Sequence, residues 1–310
     1  MKILIASSIY PAAIEKLREK HEVICAFRAP EDVLKEKIVG CDVLIFRSGV
    51  QITAEVMACA PDLKLLLRAG SGIDNLDLDY VARHNLKLIR VPEPGAKAVA
   101  EITFAFILAT ARNLIEADAE WRKGNWLKRE LTAKGYLIQG KRLGVVGAGN
   151  IGSLVADMGV ALGMDVIGCV QFPTPERAAA LAERGLRLTD YHEVVSTSDF
   201  VSLHIPLNDQ TRNLFNADEF TKMKQGAYLI NLARGGVVNE EDLRDALLSG
   251  HLRGAALDVH SNEKQGAISP LADLPNVILT PHIGAGTVDS QAEIGDRVLQ
   301  AVADLEAALA

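Results

Sequence analysis

The segment Gly147-Ala148-Gly149-Asn150-Ile151-Gly152 limits the fold more than any other stretch of this chain. A short apolar run, Leu143-Gly144-Val145-Val146, precedes it and a helical pattern from Ser153 to Leu162 follows, so the glycines fall where a buried strand meets a helix. In that setting Gly147 allows a tight turn, Gly149 lets a pyrophosphate approach the backbone, and Gly152 permits close packing of helix on strand. The backbone N–H groups at the helix start, around Asn150 and Ile151, together with the positive end of the helix dipole, suit phosphate oxygens. The turn stands near the middle of 310 residues, so a separate fold is expected to occupy the first 95 or so.

Apolar runs spaced by helical patterns support that division. Lys2 to Ala6, Val43 to Phe46, Leu63 to Leu67 and Leu86 to Val91 read as strands of a first parallel sheet. A connecting helix is predicted from about Ala98 to Arg112, with no Gly or Pro inside it. A second series follows: Leu143 to Val146, Asp165 to Val170, Asp199 to Leu203, Ala227 to Asn231, Gly254 to Asp258 and Val277 to Thr280. Six strands with crossover helices match a complete dinucleotide-binding sheet. The last helix, from about Thr287, is expected to return to the first domain. The fold class is therefore α/β, with two doubly wound parallel-sheet domains. The larger, a Rossmann-type dinucleotide-binding domain at 96–285, is inserted into a smaller flavodoxin-like substrate domain made of 1–95 and 286–310.

Hydrophobic residues at 49% and charged ones at 24% are enough for packed cores of this size. A formal charge of -7 argues against a nucleic-acid or anionic-membrane surface as the main partner. Cys25, Cys41, Cys59 and Cys169 are scattered without CxxC spacing, so neither a disulfide nor a metal site is expected. The opening Met1-Lys2-Ile3-Leu4-Ile5-Ala6 is too short for a signal core, and no apolar run approaches the ~18 residues of a membrane span. The cytoplasm is the expected compartment.

Three polar segments lie just after the fourth, fifth and sixth strands of the second series, the edge where open parallel sheets bind ligands. They are Asn231-Leu232-Ala233-Arg234-Gly235-Gly236, Asp258-Val259-His260-Ser261-Asn262-Glu263 and Thr280-Pro281-His282-Ile283-Gly284. Exchange of hydride between a hydroxy acid and a nicotinamide needs a proton acceptor for the hydroxyl, a cation for the carboxylate and a group that orients the acceptor. His282, Arg234 and Glu263 fit those roles. Each alone has an ordinary reading as a capped loop histidine, a surface charge or a solvated acid. Their coincidence at three successive strand ends favours the chemical one.

The end of the second strand is where an acid usually holds the adenosine ribose, and here it is Val170. That removes the repulsion against a 2′-phosphate, the nearest arginine is Arg177, and both NAD and NADP stay open. His204 and Pro206, in Ser202-Leu203-His204-Ile205-Pro206, are expected to flank the cofactor. Arg47 and Arg68, at two strand ends of the first domain, are candidates for a second anionic group on the substrate, with structural ion pairs as the competing account.

These segments, with Arg68-Ala69-Gly70-Ser71-Gly72-Ile73-Asp74-Asn75, Val99-Ala100-Glu101 and Gly254-Ala255-Ala256-Leu257-Asp258-Val259, resemble the D-isomer-specific 2-hydroxyacid dehydrogenases. The similarity is greatest to the phosphoglycerate dehydrogenase branch without regulatory C-terminal domains. The resemblance implies an NAD(P)-dependent D-2-hydroxyacid dehydrogenase, NAD being the family's usual cofactor. It implies Arg234, Glu263 and His282 as the catalytic set and Asp258 facing the nicotinamide carboxamide, with Ala233 and Gly284 also at the cofactor. It assigns the substrate carboxylate to the backbone around Ser71 and Gly72, and a homodimer contact to Ala98–Trp126, including Trp121 and Trp126. The chain departs from the pattern at Val170, at Lys264, where a proline usually follows the glutamate, and in Val91-Pro92-Glu93-Pro94-Gly95-Ala96-Lys97, which lacks the branch's Asn-Thr pair. The implied substrate is a small 2-hydroxy or 2-keto acid, 3-phosphoglycerate among the candidates, with glyoxylate or hydroxypyruvate reduction as the alternative. A non-catalytic, NAD-sensing binding protein resembling the family's corepressors is a second class of reading, and retention of all three catalytic residues counts against it.

Overall fold

A computed structural model describes residues 1–309, and the chain divides into two compact units, Met1–Ala98 with Ala285–Ala310, and Val99–Gly284. The first unit holds five strands, β1 (Lys2–Ile5), β2 (Glu22–Cys25), β3 (Val43–Phe46), β4 (Leu65–Arg68) and β5 (Lys87–Arg90). They form one sheet in the order β2-β1-β3-β4-β5, paired in parallel throughout. That is the flavodoxin-type order.

Alternate residues of the central strands serve opposite faces, as the period of two requires. Ile3, Ile5, Val43, Ile45, Leu65 and Leu67 pack with helix Pro11–Arg18 and, through Ile294, Val298 and Val302, with helix Val288–Leu309. Leu4, Leu44, Phe46 and Leu66 face the other way, against Leu34, Val56 and Met57 of helices Glu31–Lys37 and Ala54–Ala58. At roughly 1.5–3 kcal/mol for each fully buried aliphatic side chain, these two layers supply most of the driving force for the unit. The sequence reading missed β2, a four-residue edge strand that begins with exposed Glu22 and continues half-buried through Val23, Ile24 and Cys25.

The second unit holds seven strands, one more than expected: β6 (Arg142–Val146), β7 (Asp165–Cys169), β8 (Arg187–Leu188), β9 (Phe200–Leu203), β10 (Tyr228–Asn231), β11 (Gly254–Leu257) and β12 (Val277–Leu279). Their order, β12-β11-β10-β9-β6-β7-β8, is the Rossmann order extended by one strand beyond β11. The unforeseen strand is β8, two residues at the sheet edge beginning with exposed Arg187. One face of this sheet, with Val201, Leu203, Leu229 and Leu257, buries Val194, Val195, Phe220, Leu243 and Leu247 from helices Tyr191–Thr197, Ala217–Lys222 and Glu240–Leu248. Crossover direction reverses between β6 and β9, which places the ends of both strands at the switch point where such sheets bind ligands.

Helix Glu93–Ala111 starts five residues before the expected Ala98, and it contains Pro94 and Gly95 after all. Both lie in the first turn, where a proline's missing N–H leaves no hydrogen bond unmade. Contrary to the sequence reading, this helix is long and apolar enough to span a membrane by length and composition. Lys97 and Glu101 interrupt the run in the sequence, and most of the helix is buried within the fold, as befits a core helix. The sequence reading passed over two short helices, Leu114–Arg122, which contains Trp121, and Lys128–Lys134, and Trp126 lies between them.

Candidate active site

The glycine turn is shaped by the residues around it. Gly147 has a φ of 96°, and a Cβ there would stand 2.6 Å from the His204 carbonyl oxygen. A Cβ on Gly152 would stand 2.2 Å from the carbonyl oxygen of Gly147. Both positions therefore need glycine for the protein's own packing. Gly149 differs, because a Cβ there meets nothing within 4 Å. The turn is tied to the sheet by the amides of Gly147 and Ala148, which donate to the Cys169 carbonyl at 3.0 and 3.2 Å. Helix Asn150–Ala161 begins at Gly149 with no side chain capping it and no acid in its first turn, which leaves its first N–H groups for a ligand.

His204 lines this turn. Its backbone amide donates to the Val146 carbonyl at 2.8 Å, and its Nε2 lies 2.8 Å from the Ser202 hydroxyl. Burial pushes the imidazole down to about 3, and its Nδ1 is buried with no protein partner. Pro206, two residues on, accepts a bond from the Thr211 hydroxyl at 2.6 Å. Val170 follows β7 directly and is half-buried. Arg177, only the nearest arginine by sequence, donates Nη2 to the Ala148 carbonyl at 2.8 Å.

The loops after β10, β11 and β12 form the second cluster. Buried Asn231 ends β10, accepts from the Ala233 amide at 3.0 Å and donates to the Arg234 carbonyl at 3.3 Å, so it fixes the loop that carries the arginine. Arg234 is half-buried and donates Nη1 to the Ala233 carbonyl at 2.7 Å. A Cβ on Gly235 would lie 1.8 Å from the His260 carbonyl oxygen, so the first of these loops is pressed against the second.

Asp258, only 2% exposed, organises the third loop. Its carboxylate accepts from the Thr280 hydroxyl at 2.5 Å and from the amides of Ile283 and Gly284 at 2.9 and 2.7 Å. Its carbonyl accepts from the His282 amide at 2.8 Å. These bonds hold His282 at a φ of 55°, a left-handed conformation uncommon for a residue other than glycine.

In that position the His282 Nδ1 lies 2.8 Å from Glu263 Oε2. A carboxylate only accepts, so Nδ1 carries the hydrogen and Nε2 is left as the proton-exchanging atom. Burial raises the Glu263 carboxyl, but the bond and charge of His282 with the amide and charge of His260 outweigh it and keep the group below the usual carboxylate range. The Glu263 loop is fastened by Glu240, whose buried carboxylate accepts from the Ser261 amide at 2.6 Å and the Ser269 hydroxyl at 3.0 Å. Sequence reasoning missed Glu240, because Asn239-Glu240 reads as an ordinary helix start.

Within the first unit, Arg68 is buried and its Nε donates to the Gly72 carbonyl at 2.6 Å. It thereby shapes the loop of exposed Ser71 and half-buried Gly72. Arg47 donates Nη1 to Gln291 Oε1 at 2.6 Å, and burial lowers its pKa.

A doubly wound sheet with a glycine turn at its switch point and a carboxylate-oriented histidine at its ligand edge defines a nucleotide-dependent oxidoreductase class, and comparison with known proteins identifies which one. The model of the D-isomer specific 2-hydroxyacid dehydrogenase NAD binding domain matches residues 104–284, and the chain belongs to that family. It is 39% identical to D-3-phosphoglycerate dehydrogenase 2, chloroplastic, of Arabidopsis thaliana, over 97% of this chain and 48% of that one. The chain spans about half the length of the curated phosphoglycerate dehydrogenases it matches. A hydroxypyruvate reductase of Thermotoga maritima is 34% identical over 95% of this chain and 93% of the relative. The crystal structure of D-lactate dehydrogenase from Aquifex aeolicus, complexed with NAD and lactic acid, superposes with a TM-score of 0.85 at 28% identity, covering 99% of this chain and 96% of that one.

Proposed function

We infer that the chain is an NAD(P)-dependent dehydrogenase that interconverts a small D-2-hydroxy acid and its 2-keto acid. The observation that carries this reading is the 2.8 Å bond from His282 to Glu263 on a loop that Asp258 holds in a left-handed turn. The dinucleotide fits the residues present: the space beside Gly149 is open, and the buried Nδ1 of His204 is without a partner. Gly147, Gly149, Asn150, Ile151 and Gly152 would hold its diphosphate, Val170 its adenosine ribose, and His204, Pro206, Ala233, Asp258 and Gly284 the remainder. When bound, it supplies or accepts the hydride.

The chain's own residues handle proton and charge. In reduction, protonated His282 donates from Nε2 to the carbonyl oxygen, and in oxidation it takes the proton back from the hydroxyl. Glu263 keeps the ring in register and balances its charge while it is protonated. Arg234 presents its guanidinium to the substrate carboxylate, and Arg47, Ser71 and Gly72 are assigned to the substrate's anionic groups. Likeness to phosphoglycerate dehydrogenases makes 3-phosphoglycerate one candidate, and likeness to a hydroxypyruvate reductase supports reduction of hydroxypyruvate or glyoxylate as the second reading. The Glu263–His282 pair disfavours a protein that only senses the dinucleotide. Four free cysteines suit a reducing compartment, for which we assign the cytoplasm. Exposed Trp121 and Trp126 support a homodimer.

The test is His282→Gln. Turnover with a panel of 2-keto acids is expected to fall roughly 10²–10⁴-fold while dinucleotide binding stays unchanged. Retained turnover would overturn the assignment.

A further inference from the structure

We propose that the second unit holds an anion-binding site at the sheet edge opposite the loops of Arg234, Glu263 and His282. There Arg253, Tyr228 and Asn113 take a small ligand by its phosphate or carboxylate group. Tyr228 opens β10, Arg253 directly precedes β11 and Asn276 directly precedes β12. Arg234, Glu263 and His282 follow the same three strands at their other ends. The length of a four-residue strand, about 13 Å, therefore separates the two edges.

Arg253, Tyr228, Asn113 and Asn276 line a pocket of about 330 Å³, counting its open mouth, together with Thr110 and Glu116. Two polar side-chain atoms of this lining have no protein partner. Tyr228 is only 5% exposed, and its hydroxyl is buried and unbonded. Burial pushes the phenol up to about 12, so the oxygen keeps its hydrogen and serves as a donor. Asn113 stands at the head of helix Leu114–Arg122, where an asparagine ordinarily caps. Its side chain makes no capping bond, and its buried Nδ2 is without a partner. Buried donors are bonded in nearly all folded proteins, so two orphans at one pocket mark a place for an acceptor.

Arg253 supplies the charge. Its amide donates to the Ala227 carbonyl at 2.9 Å and its carbonyl accepts from Asn276 Nδ2 at 2.9 Å, which fixes its backbone. Its guanidinium lies 4.4 Å from the centre of the Tyr136 ring, a contact that leaves its N–H donors free. Lys141 Nζ lies 5.7 Å from the same ring centre.

Neither cation forms an ion pair among the described residues, because the acids within reach are taken. Glu116, the one carboxylate of the lining, pairs with Lys134 at 3.2 Å. Asp199, which feels the charge of Lys141, bonds Lys224 at 2.7 Å and the Arg142 amide at 2.8 Å. A planar fork of donors beside a phenol O–H and an amide N–H matches an oxyanion, which accepts from all three.

The test is calorimetric titration of the full chain at low ionic strength with inorganic phosphate and with succinate, against a chloride control. It needs no dinucleotide and no turnover. Saturable binding of at least one anion is expected, phosphate marking a phosphorylated ligand and succinate a carboxylic acid. Arg253→Met should weaken that binding about tenfold, and Tyr228→Phe, which keeps packing and charge, about threefold. If Arg253→Met fails to fold, Arg253→Lys keeps a charge without the fork, and a smaller loss is expected. Asn113 and Glu116 fall in the segment assigned to the homodimer contact, so a pocket filled by the second copy would bind neither anion. Absence of saturable binding, or binding that the Arg253 and Tyr228 variants leave unchanged, overturns the proposal.

Discussion

At the glycine turn, three residues of one type answer to different constraints, and substitution separates them. Gly147→Ala forces a side chain into a left-handed backbone against the His204 carbonyl, so it should cost about 1–3 kcal/mol of stability as well as dinucleotide affinity. Gly149→Ala puts a methyl into open space at a φ of -82°, so its thermal midpoint should match the parent's while dinucleotide affinity falls. Parallel thermal melts and titrations of the two variants check this, and equal loss of midpoint in both would contradict it. Each residue of the His282–Glu263 pair was legible in the sequence because it lies in a loop that follows a strand at the ligand edge of the sheet. Glu240 was not, because its role depends on a tertiary contact to Ser261 and Ser269 that no local pattern encodes.

Elements were legible in proportion to their burial. The central strands β1, β3, β4, β9, β10 and β11 are apolar on both faces and stand out as runs. Strands β2 and β8, which the sequence reading missed, lie at sheet edges and begin with exposed Glu22 and Arg187, and β8 at two residues is too short to show a run. The loop after β11 carries Glu263 but has little regular structure of its own, and its anchor is the start of helix Glu240–Leu248. Glu240→Ala removes acceptors from Ser261 and Ser269, so amide exchange across residues 260–269 should accelerate and kcat should fall, at a stability cost of about 1–3 kcal/mol. Unchanged exchange in that loop would refute the anchoring role. In the element that follows Ala111, Trp121 and Trp126 form an edge-to-face pair at 5.3 Å and are 60% and 70% exposed. Replacing both with Ser should shift light-scattering mass from dimer towards monomer if this is the homodimer contact.

For the molecule as a whole, acidity acts in two separable windows. Burial pushes His204 down to about 3, against ~6.5 for a histidine in an unfolded chain. The unfolded state therefore binds a proton that the folded state refuses, so this group's stabilising contribution is full above pH ~6.5 and is lost as pH falls towards ~3. Glu193, held by Arg187 and Thr189, and Asp273, held by Arg244, sit at about 2, so their contributions are lost only below the ordinary carboxylate range, between pH ~4.4 and ~2. Urea midpoints from pH 4.5 to 7 should slope upward in the parent and flatten in His204→Gln, and parallel slopes would contradict the assignment.

Helix Val288–Leu309 forms one wall of the core that begins with Ile3 and Ile5, so the two extremes of the described chain share a single apolar layer. During synthesis that layer stays open until residues 288–309 have left the ribosome, whereas the contiguous Val99–Gly284 unit has all its strands sooner. The unit begun first is thus completed after the one begun second. A nascent chain arrested once residue 284 has emerged should yield protease-resistant Val99–Gly284 and a still-digestible amino-terminal segment.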